Sequence, residues 1–424
     1  MTLVSTTVTG LTVALALVLF FTSERGKTLF GIPLGADFAG FYVAAQILNH
    51  GQPHDLYNRT LHHQLYHELL PEESQQVAIP YVHPPFVAGL LKPVARLPYP
   101  QAVMIWLVIT AMFYLSATYI VIRSLPYDLV HQRWLILMLA CSFEPFAFEC
   151  WLGGQLSAIG YFSFALCFAA LQRQQPLWAG IALGICFYKP TLLLTVLPLL
   201  VVGGRWKILL GMTVTGLALA GLSFAYVGWD VSLGYVNELL AFNKSTAGGE
   251  LEIRSWKYVD LNNCLRLILP GQSWIRTPLL LLLLLLPFAV LATVWWKSSQ
   301  QNDRFRQLLW AATLTWTPVL NLYFGIYDSI LIVQSILITA AVVCLRSTNA
   351  TPLTHSGLAY LFLAISIAPW FSQNLAAVTG VPIYTFLLVV LGIFQLRQLS
   401  KPNSAELPSE PSLPLSAVEQ NRPS

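Results

Sequence analysis

Apolar runs dominate this chain, and several are long enough to cross a lipid bilayer. A helix needs about 20 predominantly apolar residues to span the hydrocarbon core. Candidate spans stand at 8–22, 84–98, 100–122, 134–150, 156–172, 178–203, 208–227, 278–296, 307–325, 326–345, 357–371 and 380–397, twelve in all. The charge content agrees, because only 10% of the residues are Asp, Glu, Lys or Arg. A soluble domain carries about 25%. The expected fold is therefore all-α: a polytopic transmembrane helical bundle of about twelve spans over residues 1–399. The run 84–98 opens on Pro84-Pro85 and reads as a half-span, and 134–150 carries Glu144 and Glu149. The run 8–22 has no Lys or Arg before it and no small-x-small cleavage signal before Glu24, so it reads as a retained span rather than a signal peptide.

Two polar loops are long, 24–82 and 228–277. With twelve spans both fall on one side, and the short loops bearing Arg205, Lys207, Lys297, Arg304 and Arg306 fall on the other. The positive-inside rule places those short loops in the cytoplasm and the long loops outside the plasma (inner) membrane. Arg123, Arg133 and Arg173 would then face outward, against the rule. Within the first outer loop, Phe38–Leu48 and Leu61–Leu70 are expected to form interfacial helices that roof a cavity. The tail 400–424, rich in Pro, Ser and Glu, is expected to be disordered and cytoplasmic.

Charged residues beside apolar runs are the candidates for chemistry. Asp37 reads either as the N-cap of the stretch that follows it or as a general base at the outer face. Lys189, in Phe187-Tyr188-Lys189-Pro190-Thr191, either snorkels from a span that ends early or lines a hydrated cavity where it holds an anion such as phosphate. Glu144 and Glu149 either reach the interface or serve acid–base chemistry or cation binding. Asp328 caps the following helix or lines the outer cavity with Asn321 and Tyr323. His83 precedes Pro84-Pro85 at the mouth of a span, where a protonated ring could donate to a phosphate. His63 and His67 share a helix face but lack an HExxH context, and no metal is expected. The six cysteines form neither a disulfide framework nor a CxxC motif. Walker A, GxSxG, dinucleotide, potassium-filter and voltage-sensor patterns are all missing. No basic tract suggests nucleic acid.

Taken in order, several segments resemble glycosyltransferase family 87, of the GT-C superfamily. Asp37-Phe38, Tyr42, Ala44-Ala45, Gly51 and Leu56-Tyr57 resemble its DFxxYxAA…G…LY signature. Tyr81-Val82-His83-Pro84-Pro85-Phe86 resembles its YxxPPF element, and Gly154-Gln155-Leu156 its GQ element. Gly180, Gly184 and Lys189-Pro190 resemble its G…G…KP span, and Arg205-Trp206 its short basic loop. Asn262-Asn263 with Leu265 resembles an N-Q-S-L element, and Pro318 with Tyr327-Asp328 a late P…YD element.

The resemblance implies an inverting transfer of a sugar, often mannose, from a polyprenyl-phosphate donor to a glycan or glycolipid acceptor outside the membrane. It implies no cofactor and maps the family's catalytic base onto Asp37. Tyr42, Gln155, Asn263, Tyr327 and Asp328 are expected around the substrate cavity. Some members carry a His near the late element that contacts the donor phosphate; here Thr317–Tyr323 contains none. Either Lys189 or His83 then contacts the phosphate, or the donor differs. A transporter or flippase of lipid-linked sugars is the alternative; it would use the same cavity but would not need Asp37 as a base.

Overall fold

The computed structural model describes residues 34–70, 80–125, 133–248, 254–343 and 352–400, with positions 10 and 18 besides. The expected first span 8–22, those two positions apart, and the tail beyond 400 lie outside the described residues. Among the described residues there are helices and no strands; a lone bridge joins Tyr258 to Gly325.

In chain order the helices are α1 (Ala36–Asn49), α2 (Arg59–Leu69), α3 (Pro85–Leu91), α4 (Tyr99–Ser124) and α5 (Arg133–Cys141). A π-helical stretch over Pro145–Leu152 leads to α6 (Ser157–Gln172), α7 (Pro176–Gly184), α8 (Val196–Val202) and α9 (Trp206–Gly248). Next come α10 (Leu261–Ile268), α11 (Ser273–Trp296), α12 (Asp303–Val319) and α13 (Leu331–Val343). The last are α14 (Pro352–Ile367), α15 (Pro369–Thr379) and α16 (Ile383–Leu399). The boundaries follow local chemistry. Proline sits in the first turn of α3, α4, α7 and α15, where its missing N–H costs nothing. Side-chain oxygens of Asn58, Asp260 and Asn302 cap α2, α10 and α12.

Four stretches are long and apolar enough to cross a membrane alone: Tyr99–Ser124, Trp206–Phe242, Ser273–Trp296 and Ile326–Val343. The pair formed by α14 and α15, bent by 68°, makes a fifth. On α11, Leu281, Leu282, Leu285 and Leu286 are each more than half exposed, a face that suits lipid rather than water. Every residue of α12 from Gln307 to Val319 is buried. Hydroxyls and amides join it to its neighbours: Thr315 bonds Ser335 on α13 at 2.7 Å, and Gln395 on α16 donates to Ser335 at 2.9 Å and to Thr339 at 2.8 Å.

The expected count of about twelve spans is not confirmed. The run 84–98 yields the seven-residue α3 and then turns back beside α1, where Tyr42 donates to the Leu97 carbonyl and Tyr99 to that of Gly35. The run 178–203 is a helix–break–helix rather than one crossing. Its first arm starts where Gly180 packs on Ile208 and climbs to Lys189, which reaches Asp328. Its second arm leaves from Thr191, whose carbonyl accepts from Asn321, and returns to Gly203, packed on Trp295.

With these two runs turned back, the basic residues separate by end. Arg173 follows Gln172, which accepts from Gln307 in the first turns of α12, and Arg205 donates to Ser298 just before that helix. α4 runs away from Gly35, and α5 returns beside it, its Ala140 carbonyl accepting from Tyr114. Arg123, Arg133, Arg173, Arg205, Lys207, Lys297, Arg304, Arg306 and Arg397 therefore share one end, the basic end, with Asp303 as the acid among the described residues there. Asp37, Lys189 and Asp328 sit toward the opposite end. The conflict posed by Arg123, Arg133 and Arg173 disappears.

The interfacial expectation for the first outer loop needs correction at α1. Phe38, Ala39, Phe41–Ala45, Ile47 and Leu48 are all buried, so α1 is enclosed on nearly every side. An apolar stretch without clear periodicity marks a buried helix, not a surface one. α2 does lie on the surface, with only His62 buried.

Close approach of α7 to α9 depends on glycine. A Cβ at Gly180 would collide with the Ile208 carbonyl, and one at Gly211 with that of Leu177. Gly180→Leu is expected to cost about 2 kcal/mol and to lower the thermal unfolding midpoint of the purified protein. Gly221→Leu, at an open position of α9, should leave the midpoint unchanged.

Candidate active site

The start of α1 is stitched to the turn after the π-helical stretch. Gly35 N–H donates to the Leu152 carbonyl at 2.8 Å and Asp37 N–H to that of Gly153 at 3.0 Å. Gly154 has φ 80°, and a Cβ there would press 2.7 Å from the Cβ of Phe38, so only glycine lets the two segments meet. Gln155 is thereby aimed across the junction, and its Nε2 donates to Asp37 Oδ2 at 2.8 Å.

Asp37 is not an N-cap. That position belongs to Gly35, at φ 67°, and no side chain caps the helix. The Asp37 carboxylate instead accepts from Gln155. Burial pushes its carboxyl above the usual carboxylate range. The Gln155 hydrogen bond and the charges of Lys257 and Lys189 oppose the rise, and Glu149 adds to it. The residue is not sealed off, being only half-buried by accessible surface.

Lys189 stands at the apex of the broken segment, between two short 3-10 turns. Its ammonium pairs with Asp328 Oδ2 at 2.5 Å and lies 4.5 Å from the centre of the Tyr327 ring. Asp328 is 1% exposed and also accepts from Ser157 Oγ at 2.6 Å. Neither capping nor snorkelling describes these two residues. Three segments far apart in sequence are joined: the apex, the start of α6 and the approach to α13.

His83 lies outside the crossing helices, with Phe41 edge-on at 5.0 Å and Nδ1 3.2 Å from the Tyr188 carbonyl. Burial first, then the Lys189 charge, push its imidazole down to about 4. It is therefore neutral near pH 7, donating from Nδ1 to Tyr188, and the expected protonated donor to phosphate is not what this environment favours. Its place supports the apex from below.

The other expected cavity residues divide. Tyr327 is half-buried, under the Lys189 ammonium and within electrostatic reach of Asp37 and Glu149. Tyr42 is 3% exposed and spends its hydroxyl on Leu97, so it belongs to the wall. Asn263 is fully buried, its amide donating to the Asp260 carboxylate and the Leu322 carbonyl. It fastens the second long loop. Asp260 completes that clasp by accepting from Phe324 N–H at 2.8 Å, while Val259 N–H donates to the Phe324 carbonyl. Burial lifts the Asp260 carboxyl to about 6 against these donors.

Two residues unforeseen in the sequence join the site. The clasp seats Tyr258 against Gly325, and the charge of its neighbour Lys257 opposes the rise of the Asp37 carboxyl. Nothing local foretold this; the only sign was the Asp260-x-x-Asn263 capping pattern of the helix that follows. Glu149 accepts from Gln373 of α15 at 2.7 Å, beside Trp370 edge-on to Phe148. Among the described residues no group of three or more His, Cys, Asp or Glu side chains is arranged to hold a metal ion. His63 and His67 touch through their Nε2 atoms at 3.0 Å on exposed α2.

A half-buried carboxylate, an amide that orients it and an apolar helical surround suit proton abstraction beside a membrane. Comparison with known families decides the class. The sequence profile of Glycosyltransferase family 87 matches residues 81–320, more than half of the chain. The chain belongs to glycosyltransferase family 87. As a family member it is a membrane glycosyltransferase, and it binds a sugar donor and an acceptor. The segment of this glycosyltransferase that matches contains His83, Gln155, Lys189 and Asn263; Asp37 precedes it, and Tyr327 and Asp328 follow it. No match is found among curated proteins or among solved structures.

Proposed function

We propose that this glycosyltransferase moves a hexose, mannose by family resemblance, from a polyprenyl-phosphate donor to a hydroxyl of a glycan or glycolipid, with inversion. The site opens to the extracytoplasmic side of the plasma membrane. Asp37 is the general base. The observation that carries the reading is the Asp37 environment: a half-buried carboxyl, raised by burial and oriented by Gln155. A base needs a pKa near the working pH and one face free for its substrate. The basic end supports the orientation, since Lys and Arg collect on the cytoplasmic side.

In the reaction the acceptor oxygen bonds to the anomeric carbon as the bond from that carbon to the phosphate oxygen breaks. The acceptor proton passes to Asp37, and polyprenyl phosphate leaves with the electron pair. Lys189 offers the departing phosphate an N–H, but Asp328 already answers its charge, and His83 holds the apex that carries it. The flippase alternative gives Gln155 and a half-buried Asp37 no task, and no observation favours it.

Transfer of radiolabelled sugar from polyprenyl-phosphate donors to membrane acceptors tests the base. Asp37→Asn should fold and lose about 100-fold or more of the rate; equal transfer by both proteins would overturn the assignment. The pH dependence gives a sharper test. Asp37 must be ionised, so the rate falls as pH drops through its raised pKa. Gln155→Leu removes a lowering contact and should move that acid limb to higher pH. Glu149→Gln removes a raising charge and should move it to lower pH. Superimposable profiles would contradict the reading.

A further inference from the structure

We propose that Arg266 and Tyr323 form an anion subsite that takes the phosphate of a lipid-linked substrate. The subsite deepens the donor reading above and rests on it for the identity of the lipid. Arg266 closes α10, and its Nη2 donates to the Tyr323 hydroxyl at 3.0 Å, with the guanidinium 5.5 Å from the ring centre. Its Nε is buried and has no hydrogen-bond partner. Among the described residues no carboxylate pairs with it, whereas Lys189, Arg59 and Arg306 each have one.

A half-buried guanidinium without a counter-ion is costly to keep dry. A ligand anion would remove that cost. The planar fork of Arg presents parallel N–H groups that match two phosphate oxygens. The Tyr323 hydroxyl accepts from Arg266, so its own proton is free to donate to the same anion.

The surroundings specify a lipid. Leu322 and Ile268, adjoining the pair in sequence, are 43% and 44% exposed, so an apolar tail can stay in the bilayer while its phosphate is held. Tyr258 stands edge-on to Tyr323 at 6.2 Å and bridges to Gly325, three residues before Asp328. Lys189 is paired with Asp328, whereas Arg266 has no carboxylate partner among the described residues and touches the Tyr323 hydroxyl.

The test measures binding of undecaprenyl phosphate, without sugar, to the full-length protein in nanodiscs, against uncharged undecaprenol and inorganic phosphate. Wild type should bind the lipid phosphate at least tenfold more tightly than either control, and high salt should weaken it. Arg266→Gln should lose about tenfold, Arg266→Lys should recover part of the loss, and Tyr323→Phe should lose about threefold. Equal binding of the alcohol and its phosphate by wild type would overturn the subsite even if Arg266→Gln failed to fold. So would unchanged binding by a folded Arg266→Gln. Asp37→Asn separates the two proposals. It should keep the binding and lose transfer; retained transfer would sink the base assignment while leaving the subsite standing.

Discussion

A carboxylate buried in an apolar bundle must be answered by a cation, and the half-buried Lys189 answers Asp328. Breaking such a pair by removing one partner costs about 3–5 kcal/mol, since the other charge is stranded away from water. The pair lies where the broken segment turns, where α6 begins with Ser157 and where the chain enters α13. Each of these has backbone outside regular α-helix, tolerated at membrane depth only where protein or a cavity surrounds it. Pairing thus fixes an irregular region that apolar packing alone would leave undetermined.

Around that anchor the remaining parts have separate tasks. Gly35, Gly153 and Gly154 allow α1 to meet the turn before α6, which sets Gln155 on Asp37. Asp260 and Asn263 hold the loop 321–327 and seat Tyr258 against Gly325. α15, bent from α14, brings Gln373 to Glu149. Positive charge is therefore divided: Lys189 is bound into the scaffold, and Lys257 and Arg266 lack carboxylate partners among the described residues.

The helical membrane character was plain in the sequence because apolar runs and scarce charge leave no other fold. Direction was not plain. Hydropathy is blind to a chain that turns back, so 178–203 read as one span and Arg173 was set opposite Arg205, whereas Pro84-Pro85 marked 84–98 as a half-span. Asp37 was visible as a lone carboxylate, but its Gln155 partner lies 118 residues away. Lys189 and Asp328, each suspicious alone, are separated by 139 residues, and no local pattern pairs them. Asn263 stood in a family-like element and so read as a cavity residue, although its amide is consumed within the clasp. Lys257 and Arg266 belong to no motif read in the sequence; their neighbours come only from the fold.

The account depends most on the Lys189–Asp328 pair, and a double-mutant cycle on stability tests it directly. Apparent unfolding midpoints would be measured for wild type, Lys189→Met, Asp328→Leu and the double variant in one detergent. Each single change should lower stability by about 3 kcal/mol, and the double variant should regain much of the loss because no stranded charge remains. If the singles unfolded with wild type, or if their losses simply added in the double variant, the pair would not be the anchor described here.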